Sequence, residues 1–545
     1  MSARTVSTRS RWDAIVIGGG HNGLTAAAYL ARGGCDVLLV ERRGVLGGAT
    51  LTEEPFPGFR YSVFSYLVNL LRPEVIHELD LVRHGLHIQP TESTLNPLPG
   101  GDELYREADP GRSYHNIARH SRRDAEAYPE FKLEMTHMAR LVHRLQDTAP
   151  AELLGREAAG VEGRGAVEQG ELAADLVRHF LDLPRAQLLL FARMMTMSAA
   201  DLVDRWFETD ALKAALTTSS IIGSFFSPRS PGSAYVMLHH YMGEVDGDYR
   251  GWGFQKGGTG AVAEAIAGAA RSFGADLRTE APVEQVIVEN GRASGVALAD
   301  GAELRADMVA SSCTPQVSFR RLVPSGVLPA DLLERVDAWK SQGCSGKVNL
   351  SLSELPRFAS RPEPGPHLAG GVSIAPGLDY VEQAFDDCRG GSFSRRPFVD
   401  LVIPSVFDRD MAPPGQHVLS CFVQYAPYDP GEGGWEAQRE AFGDAVIEVL
   451  AEHIVNLEGS ILHRQVLTPV DIERIAGITG GNIFHGELSL AQLLLNRPAP
   501  EASSYRTPLP GYYVCGSASH PGGGISGAPG RLCALRMLAD RGGAR

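Results

Sequence analysis

Two glycine clusters near opposite ends of the 545-residue chain hold its most specific chemistry. The first, Gly18-Gly19-Gly20-His21-Asn22-Gly23, fits G-x-G-x-x-G at Gly18, Gly20 and Gly23. Such a turn grips the pyrophosphate of a dinucleotide. The first glycine allows the tight turn, the second lets backbone approach the phosphates, and the third lets the next helix pack on the strand. His21 and Asn22 lie inside this turn and are counted with it. Glu41 follows at the distance where a carboxylate takes the ribose hydroxyls of an adenosine. Arg42-Arg43 would suit an NADP 2′-phosphate, but Glu41 would repel it. The second cluster is Gly516-Ser517-Ala518-Ser519-His520-Pro521-Gly522-Gly523-Gly524-Ile525-Ser526-Gly527. It reads as the far end of the same site, with Gly516, Ser517, Gly524, Ile525 and Ser526 as contacts. A ligand that needs both ends is FAD rather than NAD.

The elements that must position these residues follow from the pattern. Asp13 to Ile17 is an apolar, β-branched run and reads as a buried parallel strand. Leu24 to Arg32 reads as the helix whose N–H groups face the phosphates, stopped by Gly33-Gly34. Asp36 to Val40 is the second strand. The chain returns near Gly251-Trp252-Gly253, with a helix over Ala261 to Phe273. A meander follows: Val283 to Glu289 turns at Asn290-Gly291, and Val296 to Ala299 turns at Asp300-Gly301. Val283 is counted with the cofactor-binding residues. Asp307 to Ala310 is a strand returning to the sheet, and 511 to 540 is the third visit. The expected fold is α/β. A discontinuous Rossmann-like FAD-binding domain spans 12–70, 251–319 and 476–545. An inserted α+β substrate lobe spans 71–250, mostly helical, and 320–475, with strands at Val348 to Leu352 and Val418 to Val423 and a helix over Trp435 to Val455. Residues 1–11 read as a disordered tail, and 151–175, rich in Ala, Gly and Glu, as a mobile loop or poorly ordered helix.

Composition narrows the classes. A formal net charge of −14 argues against a nucleic-acid partner. A hydrophobic content of 43% is ordinary for a globular chain. No apolar run is long enough to span a bilayer, so at most peripheral membrane contact is expected. Cysteines 35, 313, 344, 388, 421, 515 and 533 are scattered, without C-x-x-C spacing and without a zinc pattern, so no metal is expected. A reducing cytoplasm fits best.

The motifs together resemble the phytoene-desaturase-related FAD oxidoreductases. Within these they are most like the branch of the pyridine-nucleotide-disulphide-oxidoreductase-domain proteins. The likeness rests on Gly18 to Ala27, on Pro231-Gly232-Ser233-Ala234-Tyr235 leading to Leu238-His239-His240, and on Trp252-Gly253 to Gly257-Gly258. It rests also on Gly480-Gly481-Asn482-Ile483-Phe484-His485-Gly486 and on His520-Pro521-Gly522-Gly523-Gly524. These blocks keep the family's order along the whole chain. The resemblance implies an amine-oxidase/phytoene-desaturase type of fold and a flavin-dependent redox reaction, often on a long apolar substrate. It also implies that Glu41-Arg42 followed by Gly47-Gly48 carries backbone past the FAD pyrophosphate and ribityl chain. Many members have Arg after the glycine pair; this chain has Ala49.

For such a site, hydride passes from substrate to flavin N5 and negative charge builds at N1 and the C2 carbonyl. A helix starting after Gly524 and running through Leu538, with Pro529 in its first turn, would stabilise that charge. His520 and His485 are the polar residues expected closest to the reacting atoms, as proton relays or as loop fixers. His239-His240 reads as core or pocket lining, and Cys515 as core packing. The leading expectation is dehydrogenation or desaturation of CH–CH bonds in a hydrophobic small molecule. An amine or amino-acid oxidase, a flavin-dependent isomerase and a flavin-binding structural protein are the alternatives. Leu188 to Met197 and Ile221 to Phe226 are candidate apolar entrances, with ordinary core as the alternative. A homodimer is left open.

Overall fold

A computed structural model describes residues 11–150, 178, 183–245, 247–249 and 251–543. The expected tail, apart from Arg11, and the Ala/Gly/Glu-rich stretch 151–175 lie outside the described residues.

One seven-stranded sheet carries the first glycine cluster. Its central strand, Arg11–Ile17, pairs in parallel with Val37–Val40 on one side and with Glu303–Ser311 on the other. Asp276–Arg278 extends the sheet beyond Val37–Val40. Val283–Glu289 and Arg292–Leu298 form the antiparallel meander, and Tyr512–Val514 joins Glu303–Ser311 in parallel. The sheet thus draws strands from three distant stretches. Both faces are covered, which is why its central strands are apolar throughout rather than alternating. On one face pack the helices His21–Arg32, Gly260–Ser272 and Ala528–Gly543, joined through Ala27, Leu30, Ala263, Ile266, Ala534 and Met537. The alanines allow the helices to approach closely. On the other face Ile15, Ile17 and Leu38 meet Phe319, Leu322 and Leu332.

A second seven-stranded sheet runs in the order 461–467, 345–352, 417–424, 398–402, 371–374, 93–97, 103–107. Its last two strands lie within the stretch expected to be mostly helical. They are short, and Pro97 ends one of them, so their period-two pattern is weak. Ser345–Leu352 is buried along its full length, yet its two faces differ. Val348, Leu350 and Leu352 enter a core with Trp435, Phe442 and Val446 of the helix Gly434–Ala451. Ser345, Lys347, Asn349 and Ser351 therefore face the other way, toward the first domain. The helices Arg122–Gln146, Ala199–Asp204, Asp210–Thr217 and Ser233–Tyr241 form a third layer around Phe131, Phe207, Leu212 and Leu238.

Candidate dinucleotide cleft and apolar chamber

The glycines of the first turn do three different things. Gly18 has φ +97°, a region open to glycine. A Cβ on Gly23 would lie 2.1 Å from the Gly18 carbonyl oxygen, so the helix can sit on the strand end only without a side chain there. A Cβ on Gly20 would meet nothing within 4 Å: it would project into open space. That space is a cleft. Gly18, Gly20, His21, Asn22, Gly23, Glu41, Arg42, Gly48, Ala49 and Val283 all line it, as do Ser517 and His485 toward its far end. Gly47 braces the turn from behind, its N–H donating to the Gly19 carbonyl at 2.8 Å.

Glu41 is committed to the loop itself. Its Oε2 accepts from Gly19 N at 2.7 Å and its Oε1 from Arg43 N at 2.9 Å. Each carboxylate oxygen keeps a second lone pair for a ligand hydroxyl. Arg42 donates to the carbonyls of Arg474 and Ile475, tying the cleft's rim to the helix Pro469–Ala476. Arg321, Cys313 and Leu322 also line the cleft and were not singled out from sequence. They arrive from the segment after the meander, which has no glycine signature to mark it.

The two glycine clusters bond directly. Asn22 Nδ2 donates to Ser517 Oγ at 3.0 Å. His21 Nε2 lies 3.0 Å from the Gly524 carbonyl and its Nδ1 3.3 Å from Thr50 Oγ1. A carbonyl only accepts, so Nε2 carries the proton and Nδ1 accepts from the threonine. Burial pushes the His21 pKa down to about 4, and the ring is neutral near pH 7. Gly516 is held by packing: a Cβ there would lie 2.4 Å from the Ser312 carbonyl oxygen. Ser526 Oγ accepts from Ala528 N at 3.2 Å, where the helix Ala528–Gly543 begins. Cys515 lies just past the strand Tyr512–Val514 and is fully buried in the core, and all seven cysteines are free thiols.

Gly524 and Ile525 form a wall of a second cavity, an apolar chamber between the two sheets. Phe64, Tyr66, Trp252, Phe422 and Phe484 supply its aromatic walls, and Ile483 borders both chamber and cleft. His240 lines it, stacked between Trp252 and Phe484 with ring centroids 6.1 and 5.8 Å away. Its Nδ1 bonds the Val236 carbonyl, and burial lowers its pKa to about 4. Lys347, also on the wall, is buried and was not expected from sequence. Ile222 brings the Ile221–Phe226 segment to the wall; Ile221 itself is core. The helix Arg185–Met194 lines neither cavity and leaves Leu189 exposed.

The two candidate histidines part company. His485, at φ +58°, lines the cleft beside Ile483 and Ser517, and its Nδ1 has no partner. Burial holds its pKa down to about 3. His520 lines neither cavity. It is buried behind the turn, near Arg72, Gln146 and Arg497, with its pKa lowered to about 3 by burial and by Arg497. His239, by contrast, has both ring nitrogens occupied, Nε2 on the Gly523 carbonyl and Nδ1 on the Gln146 amide. Arg497 is fully buried and was missed from sequence. It donates to the carbonyls of Phe484, Gly486, Glu487, Gln492 and Ser517, joining the His485 loop to the second glycine cluster.

Comparison with known proteins gives this geometry a family. Residues 16–77 match the NAD(P)-binding Rossmann-like domain. Over 554 aligned residues the chain is 40% identical to mouse pyridine nucleotide-disulfide oxidoreductase domain-containing protein 2, covering 98% of this chain and 94% of the mouse protein. The chain belongs to that family. It is also 27% identical to one of the polypeptides of the limonene dehydrogenase of Castellaniella defragrans, covering 97% of this chain and 95% of that polypeptide. The fold is that of a putrescine oxidase variant with redesigned cofactor binding, with a TM-score of 0.60 at 16% identity, covering 98% of this chain and 99% of that one. The family's oxidoreductase chemistry therefore sits on a Rossmann-type α/β fold with a cleft for a flavin or nucleotide cofactor. Among the described residues, no helix is long and apolar enough to cross a membrane.

Proposed function

We propose that this chain is an FAD-dependent oxidoreductase that dehydrogenates CH–CH bonds of an apolar small molecule. The observation that carries this reading is two neighbouring cavities with Ile483 on the wall of both. The cleft runs from Glu41 and Val283, past the open space over Gly20, to His485 and Ser517, and there Gly524 and Ile525 face an aromatic chamber. The residues fit FAD. Gly20 leaves room for a pyrophosphate, Glu41 keeps lone pairs for a ribose, and the unpartnered His485 Nδ1 offers a hydrogen bond at the flavin end. FAD bound there supplies a two-electron acceptor beside the chamber.

The chain's own residues do the rest. The helix starting at Ala528 favours negative charge in front of Ile525. Phe64, Tyr66, Trp252, Phe422 and Phe484 exclude water and hold an apolar substrate. His485, neutral near pH 7, orients what lies in the cleft. The limonene dehydrogenase relative supports action on a hydrocarbon-like substrate. Amine oxidation draws support from the shared fold alone, and a chamber with a lysine on its wall suits an ammonium poorly. The substrate is a hydrophobic small molecule collected from the cytoplasm or from a membrane surface, a setting with which seven free thiols agree.

The test is to release and identify the cofactor of the purified protein. An anaerobic screen of apolar metabolites then watches for flavin bleaching, with mass analysis of whatever bleaches it. A product lighter by two hydrogens supports the reading. NAD alone as the released cofactor, or a product of C–N cleavage, overturns it.

A further inference from the structure

The chamber wall carries a lysine, and its surroundings are built to keep it. Lys347 projects from the polar face of Ser345–Leu352 and is 2% exposed. Its Nζ donates to Ser420 Oγ at 2.7 Å, and Ser420 Oγ donates onward to Asn349 Oδ1 at 2.8 Å. The same nitrogen sits 4.2 Å above the centre of the Tyr66 ring. The Tyr66 hydroxyl in turn donates to Asp400 Oδ2 at 2.5 Å, and Ser373 holds the other carboxylate oxygen at 2.6 Å. A hydroxyl bonded to a carboxylate makes its ring richer in electrons, and an electron-rich face favours an ammonium. Among the described residues no carboxylate pairs directly with Lys347; Asp400 is spent on Tyr66 and Ser373. An ammonium has three donors, and the serine takes one. A buried cation with donors to spare, on the wall of an apolar cavity, is costly unless something anionic completes it.

We propose that Lys347 is the recognition point for an acidic group, a carboxylate at one end of an otherwise apolar substrate. This rests on the reading of the chamber as the substrate pocket. Burial pulls the lysine's pKa down to about 7, with the nearby Cys421 and Asp400 acting against it. The Tyr66 face and an incoming carboxylate both act in the opposite direction. The competing polar feature of the chamber is Asn69, whose Oδ1 has no partner and would accept from an alcohol.

The experiment measures binding of decanoate, decanol and decylamine to the protein as purified, at pH 6.5, by tryptophan fluorescence and by the flavin absorbance. Decanoate should bind at least about tenfold more tightly than decanol, the worth of one charge-assisted hydrogen bond. Lys347→Met should erase that preference, and Lys347→Arg should keep it. The wild-type preference needs no variant, so a poorly folding Lys347→Met does not blunt the test. Equal binding of decanoate and decanol, tighter binding of decanol or decylamine, or a preference that survives in Lys347→Met overturns the proposal while leaving the chamber a substrate pocket. If none of the three binds, the proposal falls together with the reading of the chamber.

Discussion

His21 and Gly524 stand 503 positions apart in the chain and meet at 3.0 Å, imidazole N–H to carbonyl oxygen. The bond joins the first glycine turn to the turn that faces the chamber. Asn22 to Ser517 doubles the link. The cofactor cleft is thus closed by the two glycine clusters holding each other, with Thr50 fixing the tautomer from the far side of the ring.

Gly20 and Gly23 should fail in different ways. Gly20 has φ −69° and ψ 165°, backbone that any residue adopts, and its Cβ would point into open space. Gly20→Val should therefore fold with a thermal midpoint close to that of the cofactor-free wild type, and should retain almost no cofactor. Gly23→Val would drive a side chain into the Gly18 carbonyl. It should lose about 3 kcal/mol or more of stability, in the range of severe overpacking. Flavin content by absorbance and melting by calorimetry separate the two. Full cofactor content in Gly20→Val would contradict the placement of the pyrophosphate.

Arg497 should prove structural. It is fully buried and gives its N–H groups to five carbonyls, so Arg497→Met takes a partner from each of them and leaves only that of Glu487 with a second donor, Gln492 Nε2. The expected loss is about 3–5 kcal/mol, with Arg497→Lys recovering part of it. Urea unfolding of the three proteins measures this; a loss below about 1 kcal/mol in the methionine variant would show that water replaces the guanidinium.

How far the sequence could be read depended on whether a residue's task is local. Gly18, Gly20 and Gly23 answer to the geometry of one turn, so their spacing declares them. The strands Arg11–Ile17 and Val37–Val40 declare themselves by apolar runs. Lys347 did not, because the run beginning at Val348 reads as a strand whichever face is toward the chamber. Only pairing with His417–Gln424, in register Lys347 to Phe422, decides that face. Ser93–Pro97 was missed for a related reason: a five-residue strand with Pro and Asn has little pattern, and its place is fixed by its neighbours in the sheet. His485 and His520 looked equivalent in sequence, since glycine-rich loops do not reveal on which side a ring falls.

Acid should destabilise the protein through its buried histidines, and His240 offers a way to see it. Its folded pKa is about 4, below the ordinary value of 6.5. Between these values the unfolded chain binds a proton that the folded one refuses. Stability therefore falls as pH drops from about 6.5 to 4, by roughly 1.4 kcal/mol per pH unit for one proton. Above 6.5 the histidine contributes no slope. His240→Phe keeps an aromatic ring between Trp252 and Phe484 and removes the titration. Urea midpoints from about pH 7.5 to 4.5 should fall less steeply for the variant, by about one proton's slope. Parallel curves would show that His240 takes up its proton in the folded state.

The last prediction separates His485 from His520. Both rings have unpartnered nitrogens, but His485 lines the cleft next to Ile483 and Ser517, whereas His520 lies behind the turn near Arg497 and Gln146. If His485 donates a hydrogen bond toward the cofactor, that bond matters more once the cofactor is reduced and negative. His485→Ala should then lower the two-electron midpoint potential of bound flavin by about 20–60 mV, the equivalent of one hydrogen bond of roughly 1–3 kcal/mol. His520→Ala removes a buried ring from a packed site and should instead lower the thermal midpoint by several degrees, with the potential unmoved. Both quantities are read on the same preparations, the potential by dye equilibration under anaerobic conditions and the midpoint by calorimetry. A potential that moves in His520→Ala as much as in His485→Ala would place His520 at the flavin after all. If it moves in neither, the work at that end of the cleft falls to the helix starting at Ala528 and the backbone of Gly524 and Ile525.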